Sequence, residues 1–322
     1  MRRSLIAFLL LFCGCNGSAS IQGLANDAGS TDAASAEASV ATQPSDFVPP
    51  TGKQANPLPE SPGIYRLLLA HSTDGLTFTR DERVLTDQAN TASAVASSDG
   101  SVWIYYTGSG IDANRDAIAV AVSANEGATF SYRKVVFSPS PLGAPLGDPD
   151  VSLLADGTFR MFVTGPNGSL PTISVYDSTD GIHFTKRGDS FSRTSGAMDS
   201  CTANFGELWQ MWTLSPTDSE MLRASSSDGV TFSFAEKRAL NFDNVLYFLS
   251  GSLQTPSGRR YYGFAPTTIR SFTSTDGIVL TADPGVCLSL GGSALELNTI
   301  KDPAVVRLAS GRHLMAYTSY IP

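Results

Sequence analysis

Three aspartates share one context in this chain: Asp148 in GDPDVSLL, Asp199 in AMDSCTAN and Asp302 in KDPAVVRL. Each opens an apolar run that ends in a turn (ADGT, NFGE and ASGR). Aligning those turns puts Asp148 and Asp302 at one position and Asp199 there after one deletion, with Thr91 and Leu249 at the corresponding places of two further segments. Carboxyl groups that converge from separate segments raise at least one another's pKa, which sets a proton donor beside a base. That is the equipment of general acid–base catalysis. The same residues also have a local reading. An Asp before Pro can cap the start of a strand by accepting nearby amides, and Asp148 and Asp302 share that context. Asp199 is not followed by proline, so the local role explains it least.

What brings the three together must be a repeat. The turn STDGLTF at Ser72 recurs as SANEGATF at Ser123, STDGIHF at Ser178, SSDGVTF at Ser226 and STDGIVL at Ser274, at spacings of 51, 55, 48 and 48 residues. Asp-Gly between alternating runs is a hairpin signal, and the Ser and Asp side chains can lock the turn through local amides. A second hairpin family alternates with the first, from SSDGSVWIYYTG to ASGRHLMAYTS. Two hairpins per period make four strands, the content of one propeller blade. The chain begins on one half of a blade (63 to 85) and ends on the other (300 to 320), so the halves complete a fifth blade and close the ring. The expected fold is all-β, a five-bladed propeller over residues 61–322. Inner strands start near the axis, so the three aspartates should meet at one mouth of the channel. The acids of the repeated turn, Asp74, Asp180, Asp228 and Asp276, read as scaffold.

The start, MRRSLIAFLLLFCGC, couples Arg2 and Arg3 to an apolar run too short to span a bilayer, which reads as an export signal over 1–15. Gly14–Cys15 resembles a lipoprotein cleavage box, with Cys15 as the lipidated residue and a bacterial membrane or cell surface as the location. Plain secretion is the alternative. Residues 16–60 are small, polar and Pro-dotted and read as a disordered tether. The net charge of −8 argues against nucleic acid as a partner. Cys201 and Cys287 read as two separate buried thiols.

The motif DPAVVRLASGRHLMAYTS, hairpins such as STDGIHFTK and the count of five blades resemble the propeller glycosidases of the arabinanase, fructosidase and levansucrase group, glycoside hydrolase family 43 above all. The resemblance implies an Asp base, an Asp that tunes pKa and a Glu acid around the axis, with inversion at the anomeric carbon. Asp302 and Asp148 match Asp-Pro strand starts of that family. Asp199 stands where a third carboxylate is wanted, but AMDSCT departs from the family's acid motif and offers no Glu. Two functions follow: an exported glycoside hydrolase with Asp148, Asp199 and Asp302 around a sugar subsite, or a surface-anchored binding propeller without catalysis. Either partner would be a carbohydrate (or, for the second, a protein) met by a monomer. No cofactor is implied. Asp112, Asn114 and Asp116 alternate like calcium ligands, yet the turn glycine and closing Glu of a calcium loop are missing, and a solvated loop is the simpler reading.

Overall fold

In each repeated turn the first serine organises the backbone. Ser72 Oγ accepts the Gly75 amide at 2.9 Å and donates to Asp74 Oδ1 at 2.8 Å, while the amides of Leu76 and Thr77 donate to the same Asp74 oxygen at 2.8 and 3.0 Å. Those amides hold the Asp74 carboxyl down at about 2. The turns at Ser178, Ser226 and Ser274 repeat the pattern, and Asn125 replaces the aspartate in the turn at Ser123.

The computed structural model of the chain describes residues 43–112, 115–141, 146–167, 170–217 and 220–322. The proposed signal, Cys15 and the first part of the tether lie outside the described residues. The strands form five separate antiparallel-rich sheets, each of four or more strands. In ring order the inner strands are Lys301–Arg307 (blade I), Ala89–Ala96 (II), Gly147–Leu153 (III), Met198–Asn204 (IV) and Val245–Thr255 (V). Blade I joins the two ends of the chain, as the half-blades require. His313–Tyr320 pairs with Tyr65–Ser72 in an unbroken register from Tyr65↔Tyr320 to Ser72↔His313.

Five apolar clusters hold the ring, one between each pair of neighbouring blades. The repeated turn docks each blade on the one before it. Tyr105 Oη donates to Gly181 O at 2.9 Å, Trp212 Nε1 to Gly277 O at 3.0 Å and Tyr262 Oη to Gly75 O at 2.9 Å. Gly181 has φ +75°, and a Cβ there would stand 2.7 Å from the Trp103 ring, so this turn accepts no larger residue without moving its neighbour. The aromatic after each turn fills the same seam: Phe184 meets Tyr105, Phe232 meets Phe162 and Phe78 meets Tyr262 edge to face, at 6.0, 5.7 and 6.2 Å. Cys201 and Cys287 are free, buried and apart.

Residues 43–60 differ from a free tether. The outer strand of blade II, Ser131–Lys134, has an open edge whose backbone groups need partners. The incoming chain supplies them. Asp46 N donates to Tyr132 O at 2.8 Å, Lys134 N donates to Asp46 Oδ2 at 3.2 Å, and Asp46 pairs with Arg133 at 2.9 Å. Phe47 packs edge-on against Tyr132, and Gly52 N donates to Asp87 Oδ2 at 2.5 Å. Composition alone hides this, because edge hydrogen bonds need no run of large apolar side chains.

Candidate active site

Every inner strand carries a β-bulge five residues before the residue that pairs at its turn, and the candidate acids sit in the bulges. The register shifts between Lys301 and Ala304, Asn90 and Ala92, Gly147 and Asp150, Met198 and Cys201, and Leu249 and Gly251. Thr91, Asp148, Asp199 and Asp302 take left-handed conformations there, with φ of 47°, 51°, 53° and 49°. A left-handed residue in a bulge re-aims its side chain relative to the strand, and Asp tolerates this conformation better than most residues. In blade V the bulge residue is Ser250, not Leu249 as the turn alignment suggests, because the blade V turn is shorter and shifts the count by one.

Threonines of the second strands seat two of the acids. Thr107 Oγ1 accepts the Asp148 amide at 2.9 Å, and Thr164 Oγ1 accepts the Asp199 amide at 3.1 Å. Thr164 also donates to the Asp148 carboxylate, so it links blades III and IV at the site. The capping reading of Asp148 and Asp302 finds no support, since among the described residues neither carboxylate accepts a backbone amide within its own strand start.

The Asp148 and Asp199 carboxyl groups are hydrogen-bonded to each other. Both are partly open to solvent, yet protein surrounds them, and burial is the largest cause that raises both above the usual carboxylate range. Their mutual bond lowers Asp148 and raises Asp199 further, as do the negative charges of Asp148 and Asp302 for Asp199. Two such carboxyl groups in contact favour keeping a proton between them. Asp302 belongs to blade I, which in a ring of five faces the seam between blades III and IV. Its Oδ2 lies 3.1 Å from Lys301 Nζ, and the two are nearly closed off from solvent. A cavity of about 20 Å³, room for a single water, is lined by one residue or more from every blade, among them Thr91, Pro149, Asp199, Ser250 and Asp302.

Residues 55–254 match the family described as glycosyl hydrolases family 32 N-terminal domain. The chain belongs to this family. The solved structures agree in fold. A glycosidase-like protein of Bacteroides thetaiotaomicron is 16% identical with a TM-score of 0.54, covering 73% of this chain and 87% of that one. A thermostable family-43 glycoside hydrolase is 9% identical at TM-score 0.53, covering 72% and 88%. The Bombyx mori family-32 β-fructofuranosidase is 12% identical at TM-score 0.51, and this chain covers 56% of its length while 73% of this chain is matched. No curated protein matches the chain in sequence.

The family match takes in Thr91, Asp148, Asp199 and Ser250 and ends before Asp302. Only three of five bulges hold an acid, and among the described residues no glutamate lines the cavity. Sequence reasoning missed Thr164 and Lys301. A signal for the first existed, because threonine recurs at one phase of the second strands as Thr107, Thr164, Thr213 and Thr318. The three histidines stand away from the acids, with His71 paired to Asp81 and His183 to Asp180. Among the described residues no group of three or more His, Cys, Asp or Glu is placed to hold a metal. Asn114 of the calcium-like loop lies outside the described residues.

One further carboxyl lines the axis below the pair. Asp150 is buried, accepts the Thr202 amide at 2.8 Å and is pushed by burial up to about 7. The folded chain thus binds this proton more tightly than the unfolded one, so the associated stability is complete below about pH 4 and is lost as pH rises through about 7. Stability from this group should fall over that window by at most about 1.4 kcal/mol per pH unit. Asp150→Asn is expected to flatten the slope, as read from urea midpoints against pH. A slope unchanged by the substitution would refute the assignment.

Proposed function

We propose that the protein is an exported glycoside hydrolase whose site is the acid cluster at the start of the inner strands. The observation that carries this is the contact of the Asp148 and Asp199 carboxyl groups on one side of the axis, both raised above the usual carboxylate range, with the ion-paired Asp302 on the blade opposite. Two carboxyl groups in hydrogen-bond contact are closer than either spacing used by glycosidases, about 5 Å for retention and 6.5 to 9.5 Å for inversion. Asp148 and Asp199 therefore act as one acid, and Asp302 is the other catalytic group. In an inverting cycle Asp199 gives its proton to the glycosidic oxygen as the bond to the anomeric carbon breaks. Water attacks that carbon from the opposite face and loses its proton to Asp302. Asp148 keeps the proton on Asp199 between turnovers, and exchange with solvent then removes the proton from Asp302 and returns one to the pair.

Fold membership supports a carbohydrate as the partner, and a single chain closes the ring, so a monomer suffices. Release of reducing sugar or aryl alcohol from a panel of aryl glycosides and plant or algal polysaccharides tests the reading. A second reading, a propeller that binds a carbohydrate without cleaving it, is favoured by Thr91 and Ser250 at two bulges and by the missing glutamate. Binding without release, surviving Asp→Asn at all three acids, would decide for it.

Location is proposed on the first residues alone: export, with Cys15 as a lipid anchor. Radiolabelled palmitate should enter the bacterial product, and Cys15→Ser should abolish that label and release the protein from membranes. A wild-type product that takes up no label would leave plain secretion, and equal labelling of the Ser variant would remove Cys15 as the anchor.

A further inference from the structure

The ammonium of Lys301 has no counterpart in the site as sequence reasoning drew it. It lies 3.1 Å from Asp302 Oδ2 and 4.4 Å over the centre of the Tyr65 ring, on the third strand of the same blade. Tyr65 is itself fixed. Its ring stacks on Tyr320 at 4.6 Å, its hydroxyl lies 3.2 Å from the Tyr320 hydroxyl, and the same hydroxyl donates to Glu60 in the segment that precedes the propeller. A cation over an aromatic face beside a carboxylate is held from two directions, a geometry that a flexible surface lysine does not keep. We propose that Lys301 is a positioning residue of the acid cluster: seated on Tyr65, it fixes the Asp302 carboxyl across the axis from Asp148 and Asp199 and sets how tightly that pair holds its proton. This rests on the site reading above and deepens it.

The charged groups facing Lys301 are Asp302 on its own strand, Asp148 and Asp199 from blades III and IV, and Glu60 from the preceding segment. Among the described residues that line the cavity, blades II and V contribute Thr91, Ala92, Leu249, Ser250 and Phe264, none of them charged. Burial alone would lower the lysine pKa, but Asp302, Asp199 and Glu60 outweigh it and leave the value raised, so the ammonium is charged at neutral pH. It in turn lowers both Asp148 and Asp199. Without it, three carboxyl groups would face one another with no cation among them, and the pair would bind its proton more tightly.

The test needs no substrate. The full chain, labelled with ¹³C at aspartate carboxyls, is titrated by NMR, with Asp148→Asn and Asp199→Asn used to assign the pair. Lys301→Met is expected to raise the pair's proton affinity by about threefold to tenfold, up to the low end of what an opposite charge at close range is worth. Lys301→Arg should return it to within about threefold of wild type. Tyr65→Phe keeps the ring face and should leave the midpoint in place, whereas Tyr65→Leu removes the seat and should move it in the Met direction. Should Lys301→Met fail to fold, Lys301→Gln makes the same comparison. A folded Met or Gln variant with an unmoved midpoint overturns the proposal. Because the midpoint is read without turnover, a shifted midpoint in a protein that releases no sugar retires the hydrolase reading and keeps this one.

Discussion

Asp199→Asn is expected to cut sugar release by about a hundredfold or more, the usual contribution of a positioned acid, with the melting temperature nearly unchanged. The two outcomes separate because of the backbone. Asp199 has φ 53° in its bulge, and asparagine shares the tolerance of aspartate for that region, so the local fold survives the change. The Thr164 contact is to the Asp199 amide and is untouched. What disappears is the transferable proton. Asp302→Asn should lose at least as much, since it removes the only base of the proposed cycle, and Asp148→Asn should shift the pH optimum as well as lower the rate. Alanine at these positions would be a poor test, because a left-handed alanine strains the bulge and confounds structure with chemistry. An Asp199→Asn variant that releases sugar at the wild-type rate would remove Asp199 from the mechanism.

Deleting residues 301–322 is expected to abolish cooperative folding altogether. These residues are not a tail. They supply the inner strand of blade I and its neighbour, eight consecutive pairings with Tyr65–Ser72, and buried side chains for two of the five interblade clusters. Their removal would expose two apolar faces and open the ring. Loss of such a cooperative unit exceeds the roughly 5 to 15 kcal/mol that a domain has to spare. Broadened amide spectra and a missing thermal transition are the expected signs. A truncated chain with a sharp transition near that of the full one would show that blade I is dispensable.

The fold was legible because the repeated turn is its own signature. The side chains of Ser72 and Asp74 hydrogen-bond to each other and to amides of their own turn, so the pattern survives in sequence whatever surrounds it. The acids were legible for a related reason: all three sit at one phase of one strand type. What could not be read depends on contacts across the ring. The bond between Asp148 and Asp199 joins residues on different blades, and nothing near either announces the other. Lys301 gains meaning only from Tyr65, which lies at the far end of the chain and reaches it through ring closure. Leu249 stood in for Ser250 because a turn shortened in blade V displaces an alignment made on turns. The segment 43–60 looked free because edge hydrogen bonds leave no hydrophobic period.

The most direct measurement is the stereochemistry of the first product released by the wild-type protein, followed by ¹H NMR of the anomeric proton before mutarotation. With Asp199 as the acid and Asp302 as the base across the axis, the newly freed hemiacetal should appear first with the configuration opposite to that of the bond cleaved. A product of retained configuration would contradict the assignment of Asp302 as a base. No product from any glycoside in the panel, with carbohydrate still bound, would contradict the claim that this site hydrolyses a glycosidic bond.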